Sequence, residues 1–249
     1  MKNQYVGDVG DYGKYGLLRF LAERGIKIGV NWYLTKNDSS NDGKFREYLD
    51  DKNEESRYDK AVFSALQSLS RNVREIEKCG IIQGAVFYGK ELNTTVAKHT
   101  RRKAIRNEWF EKSFEVLKPC ELIFADPDNG SAKDEIITRK NGEKYVTLGE
   151  LEQYYHSGKD VVYYCHKGRR KEYAWQEKMV ELKALCPDAQ IIVLTFHRGT
   201  QRSYIFAIHP ERYEKYDKLL NEFLETDWGT FSVKGKQPPF SRESLTAED

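Results

Sequence analysis

Short apolar runs recur along the chain, and each stops abruptly in polar residues: 26–34, 121–126, 160–166 and 190–197. Runs of this length, rich in Val, Ile and aromatic residues and closed by turn residues, predict buried β-strands. Between them, apolar positions recur at helical spacing: Leu17, Leu18, Leu21 and Ala22; then Tyr58, Val62, Ala65, Leu66, Leu69, Val73 and Ile76; then Ile105, Trp109, Phe114 and Leu117; then Trp175, Met179, Leu182 and Leu185. Each set predicts a helix that lays one face on a core. A run over 203–210 returns a few residues after 190–197, which predicts an antiparallel hairpin. Tyr213, Tyr216, Leu219, Leu220 and Phe223 mark a last helix over 211–226. Strands alternating with helices give an α/β fold: a Rossmann-like, mostly parallel sheet with helices on both faces and a C-terminal antiparallel hairpin. A small helical insertion is expected over about 44–80, inside a single domain spanning 1–228, and the Pro- and charge-rich stretch 229–249 is expected to be a poorly ordered tail.

Composition changes this picture little. A chain of 249 residues, 39% of them hydrophobic, can bury one sizeable core. With 41 Lys+Arg against 39 Asp+Glu the net charge is +2, so an anionic partner must be met by local clusters and not by a global field. Cys79, Cys120, Cys165 and Cys186 contain no C-x-x-C pair of a zinc or redox site, and buried thiols in a reducing cytoplasm are the expectation. No run is long enough to span a bilayer, and Met1-Lys2-Asn3-Gln4-Tyr5 lacks the apolar core of a signal peptide.

In open α/β sheets, ligands bind beyond the carboxyl ends of the strands, so the polar residues that close each run are the candidates for chemistry. The central ones follow 121–125: Asp126-Pro127-Asp128-Asn129-Gly130, a turn that Pro and Gly enforce. If neighbouring strands run in parallel, Asp126, Asp128 and Asn129 emerge at the same rim as His166 and His197. Carboxylates and imidazoles gathered there can hydrogen-bond a nucleobase, exchange protons near neutral pH or hold a divalent metal. Lys167, Arg169, Arg170, Arg198 and Arg202 leave the same rim and suit phosphate. Arg101 and Arg102 start a predicted helix, where cations oppose the helix dipole, and so are further candidates for an anionic partner. Two stretches are candidates for a cofactor. The Gly-rich residues 7–16, with Asp8, Asp11 and Lys14, predict a loop entering a helix with backbone N–H groups free for an anion. The polar stretch after the first strand holds Asp38 and Asp42.

The order of these elements resembles the bacterial large-subunit ribosomal RNA adenine-N6 methyltransferases of the J type, which use S-adenosylmethionine. Gly7-Asp8-Val9-Gly10-Asp11-Tyr12-Gly13-Lys14 resembles that family's Gly-Asn-x-x-Asp-x-x-Lys segment. Trp32-Tyr33-Leu34 resembles its aromatic-rich first strand, the helix around 58–76 its helical insertion, Asp126-Pro127 the opening of its Asp-Pro-Pro-Tyr turn, and 203–210 its closing hairpin. The resemblance implies that Lys14 neutralises the carboxylate of the cofactor and that Asp126 accepts a hydrogen bond from the target amine. The chain departs from the family where Asn37-Asp38-Ser39-Ser40-Asn41-Asp42-Gly43 stands in place of a Gly-rich cofactor loop, and where Asp128 and Asn129 replace the second Pro and the aromatic of the turn. The expected function is S-adenosylmethionine-dependent methyl transfer to a base amine of a nucleic acid or nucleotide. Two alternatives use the same rim: a nuclease or phosphohydrolase with Mg²⁺ or Mn²⁺ held by Asp126 and Asp128, and a non-catalytic nucleotide- or partner-binding regulator.

Overall fold

A computed structural model describes residues 1–40, 43–50, 52–166 and 172–244. Helix α1 (Val9–Glu23) precedes strand β1 (Ile28–Asn31), helices α2 (Lys60–Ser68) and α3 (Val73–Cys79), and strand β2 (Val86–Tyr88). Helix α4 (His99–Leu117) leads into β3 (Leu122–Ala125). A two-stranded ladder, β4 (Ser131–Ala132) with β5 (Val146–Thr147), feeds α5 (Leu148–His156), β6 (Asp160–His166) and α6 (Glu172–Leu185). Strands β7 (Gln190–Phe196) and β8 (Arg202–Ile208) form the hairpin, followed by α7 (Tyr213–Glu225), α8 (Asp227–Thr230) and β9 (Phe240–Arg242).

The main sheet has the order β2-β1-β3-β6-β8-β7-β9. Strands β2, β1, β3 and β6 pair in parallel; β8 runs against both of its neighbours, and β9 against β7. The fold is thus α/β and Rossmann-like, with β1, β2, β3, β6 and β7 pointing one way. From β1 the chain moves outward to β2, then returns past β1 to β3. Strand order therefore reverses between β1 and β3, and their carboxyl ends frame the crevice where such sheets take ligands.

Side chains alternate between two cores. On β3, Leu122 and Phe124 join the core under α1, α2 and α7, while Ile123 and Ala125 join the core under α4, α5 and α6. The same alternation holds on β8, with Tyr204, Phe206 and Ile208 on one side and Ile205 and Ala207 on the other. Both faces are covered, which is why the strands read as continuous apolar runs and not as alternating ones.

Two expectations change. Residues 7–16 are not a Gly-rich loop: α1 already begins at Val9, capped by the Asp8 carboxylate, which accepts from Gly10 N at 2.9 Å. Gly10, Gly13 and Gly16 form a stripe along α1, where a Cβ would come within 2.3 Å of Arg202, 2.5 Å of Phe196 and 2.4 Å of Trp228. They are glycines because the helix lies against bulky side chains; the Gly10 N–H is taken by the Asp8 cap, and Gly13 and Gly16 lie within the helix. The stretch after 228, expected as a poorly ordered tail, contains strand β9, whose Phe240 packs against Phe196 and Trp228 at centroid distances of 4.9 and 5.8 Å.

Candidate active site

Asp126 is the first residue beyond β3, and its N–H donates to Asn31 O at 2.9 Å, tying it to the end of β1. Its carboxylate is buried and accepts from Lys14 Nζ at 2.7 Å. Lys14 and Asp11 share one face of α1 at i, i+3, and Lys14 Nζ lies 2.7 Å from Asp11 Oδ1 as well. Burial alone would lower the Lys14 pKa, but the Asp11 and Asp126 carboxylates outweigh it and hold the ammonium above its usual value. Burial raises the Asp11 carboxyl, an effect that Lys14 only partly opposes. Among these side chains, two carboxylates share one cation.

Beside this triad, the α-ammonium of Met1 donates to Tyr33 O at 3.2 Å and Asp126 O at 2.9 Å and lies 2.7 Å from Asp128 Oδ1. The Met1 thioether is 3.7 Å from Lys14 Nζ. Met1 therefore sits at the strand-order reversal between β1 and β3. Tyr33, just past β1, adopts φ +44°, a conformation that L-residues with bulky side chains rarely take, and its hydroxyl donates to Glu150 at 3.1 Å. A large buried aromatic thus occupies a left-handed backbone position that ordinarily favours glycine.

A cavity of about 540 Å³ opens above these residues. Asp8, Asp11, Lys14, Asp126, Asp128 and Asn129 line its floor, with His166 from the end of β6 and Arg202 from the start of β8 on its wall. Arg202 Nη2 pairs with Asp8 Oδ1 at 2.8 Å. Tyr5, Phe45, Tyr164 and Lys144 also line the cavity, as do Met1 and Lys2. Burial pushes the Tyr164 phenol up to about 12, so it keeps its proton. Phe45 is 59% exposed, an unusual setting for this residue, and its backbone is pinned to the start of α1 by Val9 N donating to Phe45 O at 2.9 Å.

Other expected residues lie elsewhere. His197 turns to the sheet edge, its Nε2 2.7 Å from Ser241 Oγ and its N–H on Pro239 O. The reason is β8: inserted between β6 and β7, it separates their ends by two strand spacings, about 10 Å. Arg198 is buried against Tyr58 and Gln237, donating to the Gln237 carbonyl at 2.7 Å. Asp38 stands outside the cavity, 2.5 Å from Lys2 Nζ, where hydrogen bonds from Lys2 and then Ser40 hold its carboxyl below the usual range. Arg101 is exposed on α4, while Arg102 donates to Thr138 O at 2.9 Å. Asp42, Lys167, Arg169 and Arg170 fall outside the described residues.

Among the described residues, no three His, Cys, Asp or Glu side chains are grouped to hold a metal ion. Asp126 and Asp128, the expected ligands, each already face an ammonium at 2.7 Å.

No helix among the described residues is long and apolar enough to cross a membrane. No protein-family model matches the chain, and no curated protein matches it. Among solved structures, the crystal structure of protein LPL1258 from Legionella pneumophila, described by the family-model name DUF519, aligns over 98% of this chain and 98% of that one, at 13% identity and a TM-score of 0.48.

Proposed function

We propose that this cavity receives a nucleobase and that the protein is an S-adenosylmethionine-dependent methyltransferase acting on a base amine of a nucleic acid or nucleotide. The observation that carries the proposal is the position of Asp126. A buried hydrogen-bond acceptor closes the central parallel strand at a cavity whose lining includes Tyr5, Phe45 and Tyr164. A planar heteroaromatic amine is the chemistry such a site complements: rings for its faces and a carboxylate for its N–H. The aromatic lost at Asn129 is replaced by rings from other elements.

The crevice also fits the cofactor's methionyl end. The Tyr33 and Asp126 carbonyls and the Asp128 carboxylate converge on the Met1 ammonium, and the same three groups would hold the ammonium of S-adenosylmethionine. One space admits one occupant, so cofactor entry requires Met1 to withdraw. When bound, the cofactor would supply the methyl group. The chain's own residues do the rest: Lys14 fixes the Asp126 carboxyl by its hydrogen bond, Asp126 accepts from the target amine and orients its lone pair, and Asn129 offers amide groups to the base edge.

Isothermal calorimetry with S-adenosylmethionine and S-adenosylhomocysteine tests this directly, followed by transfer of labelled methyl to RNA and to nucleotides. Heat of binding and a labelled base are expected. Absence of both, in protein whose fold is verified, refutes the proposal. The metal-dependent reading gains no comparable support, because Lys14 Nζ already bridges Asp11 and Asp126, where a divalent ion would have to sit.

A further inference from the structure

We propose that Glu150 and Arg106 are positioning residues: by holding the Tyr33 side chain on the face covered by α4 and α5, they aim the Tyr33 carbonyl at an ammonium in the crevice and so favour ligands that carry an amino-acid end. This rests on the cofactor reading above for the identity of the ligand, while the contact it explains already exists at Met1. Among the described residues, Tyr33, Asn141 and Lys234 are the non-glycines with positive φ. Asn takes this conformation readily and Lys234 is exposed, whereas Tyr33 is fully buried. A bulky residue persists there only where its surroundings overdetermine it. Its neighbours Trp32 and Leu34 join the core under α1, α2 and α7, and its own ring joins the other core. The resulting bend leaves the Tyr33 carbonyl to accept from the Met1 ammonium at 3.2 Å.

What fixes the ring is a network buried between α4 and α5. The Tyr33 hydroxyl donates to Glu150 Oε2 at 3.1 Å, and burial, reinforced by the Glu150 charge, keeps the phenol protonated as the donor. Glu150 is in turn held by Arg106, with Nε on Oε1 and Nη2 on Oε2 both at 2.7 Å, and by Thr147 N at 3.0 Å. Arg106 Nη2 also donates to Tyr145 O at 2.7 Å, and the Tyr33 ring meets that of Trp109 edge-on at 5.0 Å. Arg106 and Glu150 are 1% and 4% exposed, so the anchor lies out of reach of solvent. A pairing that served only to join α4 to α5 would be complete without Tyr33, because Arg106 and Thr147 already give Glu150 three donors. For Tyr33, by contrast, the hydroxyl bond resists relaxation to an extended conformation, which would turn its carbonyl away from the crevice.

The chain contains two methionines, Met1 and Met179, so a [methyl-¹³C]methionine NMR spectrum reads the crevice directly, with Met179 on α6 as an internal reference. Tyr33→Phe, which removes only the hydroxyl and leaves Glu150 its other donors, is compared with Tyr88→Phe, which removes a hydroxyl that donates to Trp109 O at 3.1 Å in the same core. Without cofactor, Tyr33→Phe should shift and narrow the Met1 resonance, leave that of Met179 in place, and speed hydrogen exchange about tenfold at Thr35 N, which donates to Met1 O at 2.9 Å. Met1 packs in the core opposite the Tyr33 ring, so such a change has to pass through the backbone. Tyr88→Phe should leave the Met1 resonance in place and change the exchange rate less than about threefold. In calorimetry, Tyr33→Phe should weaken S-adenosylhomocysteine about tenfold, and 5′-methylthioadenosine, which has no ammonium, less than about threefold. An unchanged Met1 resonance and Thr35 exchange rate in Tyr33→Phe, equal changes in both variants, or equal weakening of both nucleosides overturns the proposal. If the unaltered protein binds neither nucleoside, methyl transfer falls, and the Met1 and Thr35 readouts still decide the role of the network.

Discussion

Asp126 and Phe45 both line the cavity, one buried and one exposed, and substitutions should separate the roles proposed for them. Asn at 126 keeps the size of the side chain and an oxygen for Lys14, but removes the anion that would accept from the target amine. Asp126→Asn should therefore lower methyl transfer by about 10²-fold or more, the range for loss of a general base or orienting acceptor, with cofactor heat retained because the Asp126 main-chain carbonyl is unchanged. Transfer at the unaltered rate would remove Asp126 from the mechanism. Phe45 has little to lose in the folded protein, being 59% exposed, so Phe45→Ala should leave stability within about 0.5 kcal/mol. If its ring stacks on a base, the same change weakens oligonucleotide binding by about 1–3 kcal/mol, read as a change in Kd by anisotropy. Asp126 could be found in the sequence because an apolar run ended on it. Phe45, between Lys44 and Arg46 in a charged stretch, gave no periodicity to mark it.

At the scale of elements, the strands and the main helices follow from local pattern, whereas the meaning of α1's glycines does not. Gly10, Gly13 and Gly16 resemble a phosphate loop until Arg202, Phe196 and Trp228, nearly two hundred residues away in sequence, are seen against them. Phe240 is likewise legible only through its long-range partners Phe196 and Trp228, which is why β9 was expected to be tail. The stripe makes a prediction with opposing terms. Gly13→Ala should favour an isolated helix by about 1 kcal/mol, but a Cβ placed 2.5 Å from Phe196, itself backed by Phe240, forces α1 outward at a cost of about 1–3 kcal/mol. Net destabilisation in a denaturant melt is expected, and a gain in stability would show that the contact is loose. The segment 1–5 is another element whose hold is charge-dependent. Because the Asp38 carboxyl is held below its usual 3.8 by Lys2 and Ser40, the Lys2–Asp38 bridge stabilises above 3.8 and is lost as pH falls through the lowered value. Hydrogen-exchange protection of residues 1–5 should thus fall in Asp38→Ala at neutral pH, while the unaltered protein should lose it only in stronger acid.

Over the whole molecule, the two ends of the sheet carry different duties. At the amino end of β6, Asp160 is fully buried and accepts from Arg212 Nε at 2.6 Å, Arg212 Nη2 at 3.1 Å and His209 N at 2.9 Å. Here a buried carboxylate has every partner it needs: it locks the turn after β8 to the sheet. At the carboxyl end, Asp126 shares one lysine with Asp11 and faces open space, an arrangement less complete as structure and better suited to receiving a ligand. Removing Asp160 strands part of the Arg212 charge and frees the His209 N–H, so Asp160→Ala should cost about 3–5 kcal/mol and lower Tm by roughly 10 °C for a chain of this size. Because the lock lies a full strand length from the cavity, oligonucleotide and cofactor Kd values measured well below the new Tm should match those of the unaltered protein. Asp126→Asn should do the converse, sparing Tm within a few degrees while lowering transfer by about 10²-fold or more. If Asp160→Ala instead weakened ligand binding as much as it lowered Tm, the two ends would be coupled through the sheet, and the site could not be assigned to the carboxyl rim alone.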